Sequence, residues 1–366
     1  MSILLTENCI GCGACIIACQ PKSIQFKKNS QGFNAAYISE DNCTACGRCK
    51  IVCPQLRKQV SGFESYYAYQ NPNYESLQKS QSGGAFSVLA ESILDQDGIV
   101  SGVRYDDSGN VIFIIIKNIN DLQFCHGSKY VWADPLKILD PFISEVKKGR
   151  PALFCGLPCQ VSAVRNLLKN RENLLLVDLL CYGPLSPELW KNFLYDLRCD
   201  PSSFSFRDKS RTGWECAQSS YIRKQNKIYI DRDKLFVNKI FQKQYGLNKS
   251  CLNCKYRSFN RPGDITIGDF WGIRNTNLKI PESVITNGIS LIHFNTAKGE
   301  EYFQLFQNGI LGKFNDKTFL LDHNGGYQPN KLNRRKYARF WKIQNFLGFN
   351  LGLKILKCKF KITGKI

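Results

Sequence analysis

Residues Met1–Asn8 hold no basic segment followed by an apolar one, so the sequence is read as having no secretory signal. No apolar run is long enough to span a bilayer. The longest, Val111–Ile116, is rich in β-branched residues and reads as a buried strand. Histidine is scarce: His126, His293 and His323 are the three in 366 residues, so acid–base candidates are few. Acidic residues number 30 against 50 Lys and Arg, and none follows residue 330, where eleven Lys and Arg stand. Of the net charge of +20, +9 therefore belongs to the first 330 residues. That asymmetry marks 331–366 as a basic tail and argues against a nucleic-acid-binding surface throughout.

Against these shortages stands an excess of cysteine, 17 of 366. Disulfide scaffolds belong to small secreted domains, so in a chain read as cytoplasmic the thiols point to metal or cluster ligation. A hydrophobic share of 43% suffices for a core, and the length suits two to three domains.

Cys9, Cys12, Cys15 and Cys19 have the spacing C-x2-C-x2-C-x3-C, and Cys43, Cys46, Cys49 and Cys53 repeat it 34 positions later. Between the sets, Ile24, Phe26, Tyr37 and Ile38 around Gln31-Gly32 read as a hairpin. The spacing is that of the bacterial two-cluster ferredoxin, in which the fourth thiolate serves the other cluster. Cys9, Cys12, Cys15 and Cys53 are thus expected on one 4Fe–4S cube, and Cys43, Cys46, Cys49 and Cys19 on the second. Gly11, Gly13 and Gly47 let backbone N–H groups approach the sulfides. Zinc sites close with four ligands in two pairs and have no use for the third Cys and the x3-C.

After about Tyr66 the pattern changes. Ser82-Gly83-Gly84 precedes a helical stretch, and Ile99–Val103 and Val111–Ile116 read as paired strands. Ala152–Cys155, a helix from Pro158, Leu174–Leu180 and a helix after Ser186-Pro187 give strand–helix–strand–helix, a parallel unit with a right-handed crossover. The fold class is therefore α+β or α/β: a ferredoxin domain over 1–60, a larger α/β domain over 61–330 and the tail over 331–366. Ligands in such sheets gather at the carboxyl ends of the strands, where Cys155, Cys159 and Cys181 fall. Cys155, between apolar neighbours, reads as a small core residue. Cys159, Cys181 and the pair Cys251 and Cys254 read either as one shared site or as separate thiols.

The stretches Gln81–Gly84, Gly127-Ser128-Lys129-Tyr130-Val131, Gly156–Gln160, Asp178–Cys181, Phe206-Arg207-Asp208-Lys209 and Gly263–Gly272 follow one another in an order that resembles the coenzyme F-420 hydrogenase/dehydrogenase beta-subunit family with a fused ferredoxin domain. The resemblance covers about residues 1–340. It implies a third cluster on Cys159, Cys181, Cys251 and Cys254, and FAD near Ser82, Gly83, Gly84, Ser128, Lys129 and Tyr130. It also implies oxidoreductase activity, often alongside surface-polysaccharide synthesis. Tyr182 stands where the family commonly has His, and Leu77 and Gln78 stand near its usual Arg.

A flavin suits the electron count, because clusters carry single electrons and most organic reductions need two. The expected path joins an outside ferredoxin-type carrier, the clusters, FAD and a small-molecule substrate. The other reading is an electron-transfer subunit with no substrate of its own. Ser82-Gly83-Gly84 at a helix start suits a phosphate, or is ordinary helix punctuation. Lys129 is a ligand or catalytic candidate, or a solvated lysine; His126 is the acid–base candidate, or a loop histidine. Asp264 and Asp269 flank a short strand. In the tail, Gly348 and Gly352 divide the apolar and basic residues into two amphipathic pieces. These lie on an anionic membrane surface or dock on the protein itself.

Overall fold

The computed structural model describes residues 2–57 and 63–363. The expected boundary at residue 60 lies outside them. The N-terminal unit is a three-stranded antiparallel sheet, β1 (Ser2–Leu4), β2 (Ile24–Lys28) and β3 (Asn34–Ser39), with β3 central. β2 and β3 form the expected hairpin, Ile24 opposite Ile38 and Phe26 opposite Ala36. Two short helices, Ala14–Ala18 and Arg48–Val52, complete the unit and pack on each other. Each starts at a glycine with positive φ, Gly13 (79°) and Gly47 (73°), a conformation that side chains with a Cβ resist.

The larger unit is built on eight strands. In chain order its members are β4 (Ser65–Tyr69), β5 (Ile99–Tyr105), β6 (Val111–Ile116), β7 (Ala152–Gly156) and β8 (Leu174–Leu179). A side sheet of β9 (Ser205–Asp208), β10 (Gln218–Arg223) and β11 (Asn226–Ile230) intervenes before β12 (Ile265–Asp269), β13 (Ser290–Phe294) and β14 (Ile310–Phe314) close the main sheet. The spatial order is β14-β4-β13-β12-β8-β7-β5-β6. β5, β7, β8 and β12 run parallel, with β7, the helix Pro158–Leu168 and β8 as the expected crossover. β6, β13 and β14 pair antiparallel.

β7 is buried on both faces, as is most of β8, which is what a sheet covered on both sides requires. Alternate residues feed two cores. Phe154, Leu174 and Leu176 join one; Leu153, Cys155, Leu175 and Val177 join the other. Val111–Ile116 is the strand β6, and among the described residues no helix is long and apolar enough to cross a membrane.

The tail is not a separate appendage. Its residues Arg334–Thr363 form two helices that meet at Gly348 (φ 74°, ψ 157°), and the second runs through Gly352. The expected two pieces are therefore present, and they divide at Gly348 alone, since Gly352 keeps helical geometry. Tyr337, Phe340, Trp341, Leu353 and Leu356 are buried in the main core. The Tyr337 hydroxyl donates to the Leu247 carbonyl at 2.9 Å, and Lys357 pairs with Asp196 at 3.2 Å. Trp341→Ala should therefore cost about 3–5 kcal/mol, the usual loss for a buried aromatic, read as a lower thermal midpoint. An unchanged midpoint would place this helix outside the folding unit.

His293 on β13 is fully buried. Its Nδ1 lies 3.1 Å from the Tyr327 hydroxyl, and its Nε2 has no partner among the described residues. Burial, aided by the Arg261 charge, holds the imidazole well below its usual pKa. The folded value lies below the unfolded one, so this stability is intact above about pH 6.5 and is lost as pH falls below it. His293→Phe should shrink the difference in thermal midpoint between about pH 7.5 and about pH 5.5. An undiminished acid loss would assign it to other groups.

Candidate cluster chain and ligand site

The two thiol sets of the N-terminal repeat interleave in space. The groups that raise the Cys15 thiol to about 12 are burial first, then Cys9 and Cys53, with Cys49 behind them. Cys12 feels burial, then Cys15, Cys9 and Cys53. Cys9, Cys12, Cys15 and Cys53 line one cavity. Cys49 is pushed up by burial and, among the other thiols, by Cys43 and Cys19. The crossed grouping thus has a geometric basis: each fourth Cys ends its helical turn facing the opposite triplet. Backbone N–H groups reach the sulfurs, Ala36 N donating to Cys9 Sγ at 3.3 Å, as the sulfurs of a cluster require. Cys43 and Cys46 are exposed, whereas Cys12, Cys15 and Cys53 are buried, so one set faces solvent and the other faces the larger domain.

Cys159, Cys181, Cys251 and Cys254 come together from separate segments and line a second cavity with Trp132, Tyr182, Tyr256 and Arg257. Cys159 sits in the first turn of the helix Pro158–Leu168, set there by Pro158 and by Gln160. The Gln160 side chain accepts from Leu157 N at 3.0 Å and donates to the Ala133 carbonyl at 2.9 Å. Burial raises the Cys159 thiol well above its usual value, and Cys254, Cys181, Cys251 and Cys12 raise it further. Cys181, pushed up to about 11 by burial, also has Arg261 and Arg257 pulling it down and accepts from Gly183 N at 3.3 Å. Among the described residues no three His, Cys, Asp or Glu side chains converge on one ion. The four thiols line one cavity, with Arg257 and Arg261 beside them. Cys155 stays outside the cavity: it is buried in the core, and its N–H donates to Ser101 Oγ at 3.0 Å.

The two cavities adjoin. Cys12 and Cys159 pack in one small core with Ile10, Ala14, Val52 and Ala163. Tyr256 spans the join, its hydroxyl donating to Ser162 Oγ at 2.7 Å and lying 3.2 Å from the Pro54 carbonyl. Lys255 feels both Cys53 and Cys254. Gln31 and Ser186 also tie the units. Ser186 does not cap its helix; its hydroxyl donates to the Gln31 carbonyl at 2.6 Å.

Apart from Asp264, which stands just before β12, the other predicted residues lie at the carboxyl edge of the sheet. Leu179 pairs with Ile267, Asp269 with Ser290 and Ser290 with Tyr69, which aligns these strand ends. The Ser82-Gly83-Gly84 turn docks there. Ser82 Oγ donates to the Ile289 carbonyl at 2.9 Å, and Gly83 N donates to Ser290 Oγ at 3.0 Å. A Cβ on Gly83 would lie 2.3 Å from the Tyr69 carbonyl oxygen, so this glycine is fixed by packing on the sheet end. Gly84 has φ +81° and starts the helix Ala85–Leu94. The turn's demand for glycine thus has a cause within the fold itself.

Gln81 joins the turn to two further stretches, its Oε1 accepting from Ser128 N at 2.9 Å and its Nε2 donating to the Arg207 carbonyl at 2.9 Å. The Lys129 ammonium turns back to the carbonyls of Phe124 (3.3 Å), His126 (2.8 Å) and Gly127 (3.1 Å), and burial lowers it to about 8. His126 is half-buried, and burial, then Lys79 and Lys129, lowers its pKa. Tyr130 stacks on Phe241 with centroids 4.7 Å apart. Tyr182 packs beneath Arg257 at 5.1 Å. Gln78 donates to Asn287 at 2.9 Å, and Leu77 is buried with its carbonyl taking the Lys209 ammonium at 2.8 Å.

Asp264, just before β12, pairs with Arg165 at 2.7 Å, and Asp269, at its carboxyl end, pairs with Arg207 at 2.5 Å. Trp214 Nε1 also donates to Asp269 at 2.7 Å, and Trp214 stacks on Trp271 at 4.9 Å. The sequence showed Arg207 and Lys209 only as parts of a matching stretch, and gave no sign of Arg232, Trp214 or Tyr256.

Thiol sets of this spacing and nesting define an iron–sulfur electron-transfer protein with an α/β partner domain. Residues 8–56 match the family model of the 4Fe-4S dicluster domain, and residues 149–315 match that of the C-terminal region of the coenzyme F420 hydrogenase/dehydrogenase beta subunit. The chain thus joins an iron–sulfur domain to a region similar to that oxidoreductase family's, which supports an oxidoreductase-related role. Among solved structures it is similar to a chain of the F420-reducing NiFe hydrogenase complex from Methanosarcina barkeri, in a xenon-derivatised form. The identity is 16%, over 78% of this chain and 90% of that chain, with a TM-score of 0.46. No curated protein matches.

Proposed function

We propose that the chain is an iron–sulfur flavoprotein oxidoreductase. Electrons pass between an outside carrier protein and a two-electron substrate at the carboxyl edge of the sheet, in either direction. The observation that carries this reading is the packing of Cys159 against the small core that holds Cys12, which brings the N-terminal thiols beside a third set of four. Exposed Cys43 and Cys46 give the outer set its access to a carrier of the ferredoxin type. Cys159, Cys181, Cys251 and Cys254 would hold a third cluster, with Arg257 and Arg261 offsetting its negative charge. FAD, when bound, would exchange single electrons with clusters and pairs with substrate. Ser128, Tyr130 and Arg207 would hold it beside the Ser82–Gly84 turn. Lys129 and Lys209 are already committed to backbone carbonyls, so they order the loops around the ligand.

Anaerobically purified protein should contain about twelve iron, four for each of three cubes, and should show flavin bands above a broad iron–sulfur absorbance. Iron without flavin would favour an electron-transfer subunit with no substrate of its own. The tail helix leaves Phe346 and Leu351 exposed among its lysines, a face suited to an anionic membrane surface. Phe346→Asp should abolish low-salt co-sedimentation with anionic vesicles, and absence of co-sedimentation by the parent protein would remove this part of the reading.

A further inference from the structure

Arg232 follows β11 and is half-buried beside the carboxyl edge, yet it makes no hydrogen bond or ion pair among the described residues. The groups that act on it are Arg207, Tyr130 and Asp269. Asp269 is already engaged by Arg207 Nη1 at 2.5 Å and Trp214 Nε1 at 2.7 Å. Arg207 itself is 2% exposed, and its Nε is buried with no hydrogen-bond partner. The Tyr130 hydroxyl adjoins the same guanidinium. Lys209 adds a third positive charge nearby, although its ammonium donates to the carbonyls of Leu77, Ser82 and Asn287.

Three cations therefore share one carboxylate, and two arginines keep donors to spare. Like charges held together out of water are unfavourable unless an anion joins them. The walls are aromatic: Phe206 and Phe241 pack on Tyr130, and Trp271 lies 4.8 Å from the Arg207 guanidinium.

We propose that Arg232, Arg207 Nε and the Tyr130 hydroxyl form an oxyanion-binding pocket that takes a phosphate or carboxylate group of the molecule bound at the carboxyl edge. A planar guanidinium can present two N–H donors to such a group at once, which an ammonium cannot. The inference rests on the function proposed above for the ligand's identity, but not for the existence of the pocket. It adds an anionic group to the description of that ligand. The group belongs either to the diphosphate of the flavin or to the substrate.

The test uses the full chain with its clusters reconstituted anaerobically, and inorganic pyrophosphate as the calorimetric probe. Flavin-free parent protein should bind pyrophosphate, Arg232→Gln at least tenfold more weakly, and Arg232→Lys in between, all with equal iron content. Loss of FAD from Arg232→Gln as well would place the flavin diphosphate in the pocket. Full FAD retention, with Arg232-dependent pyrophosphate binding to the flavin-loaded protein, would place a substrate oxyanion there. Equal pyrophosphate affinity in the parent and Arg232→Gln, or no binding by the parent, overturns the pocket. Arg232-dependent binding by a protein that takes up no flavin overturns the flavin reading and leaves the pocket standing.

Discussion

Cys159→Ser should lower the iron content from about twelve to about eight per chain while the ferredoxin-type signals persist. The residue stands at the junction of the two cavities, in contact with the core around Cys12 and among Cys181, Cys251 and Cys254. Its loss would remove the cluster that lies beside the core around Cys12. Reduction of the outer clusters would then no longer reach the carboxyl edge, and electron delivery should fall by orders of magnitude, with carrier binding unchanged. Cys155→Ser is the control, since that thiol lies outside the cavity; it should keep all the iron. Eight irons in the parent protein would remove the third cluster, and twelve in Cys159→Ser would remove this residue from its ligands.

Arg261→Leu should be the most destabilising single change away from the cysteines. Arg261 and Asp178 form a fully buried ion pair. The carboxylate also accepts from Thr266 Oγ1 at 3.0 Å and Gly263 N at 2.8 Å, and Arg261 Nη2 donates to the Leu179 carbonyl at 2.7 Å. Removing the cation leaves an uncompensated buried carboxylate, a loss of about 3–5 kcal/mol. Against a typical total of about 5–15 kcal/mol, that should lower the thermal midpoint by on the order of 10 °C. Replacing both partners by apolar residues removes the stranded charge, so Asp178→Leu combined with Arg261→Leu should recover much of the loss. A double variant no more stable than Arg261→Leu would show that the hydrogen bonds to Thr266, Gly263 and Leu179 carry the effect. Because Leu179 leads directly into Cys181, the single variant should also loosen the third thiol set and lower its iron occupancy.

The ferredoxin repeat was legible because its information is local. Ligands three and four positions apart fit one glycine-started turn, and the 34-residue repeat around a hairpin brings the fourth Cys of each set to the other. β5, β6, β7 and β8 were legible for a similar reason, as apolar runs between turn and helix-start residues. Cys155 was read as a core residue from its neighbours alone, and it is one. The tail was half legible: its helical, amphipathic character showed, whereas its docking depended on a surface made elsewhere by Tyr245, Leu247 and Phe236.

Local pattern was enough for the eight N-terminal thiols, the parallel crossover and the segments that would meet at its carboxyl edge, since turns, caps and periodicity act over a few residues. Long-range packing was needed to bring Cys159, Cys181, Cys251 and Cys254 to one cavity beside the core around Cys12. The same packing turned Lys129 and Lys209 onto backbone carbonyls and left Arg232 without a counter-ion among the described residues. Those outcomes depend on strand order, β4 and β13 inserting beside β12, and on side chains as far apart as Arg207, Trp214 and Arg232 converging on Asp269. No local pattern encodes such a competition, because it is settled by which groups remain unpaired once the sheet has closed.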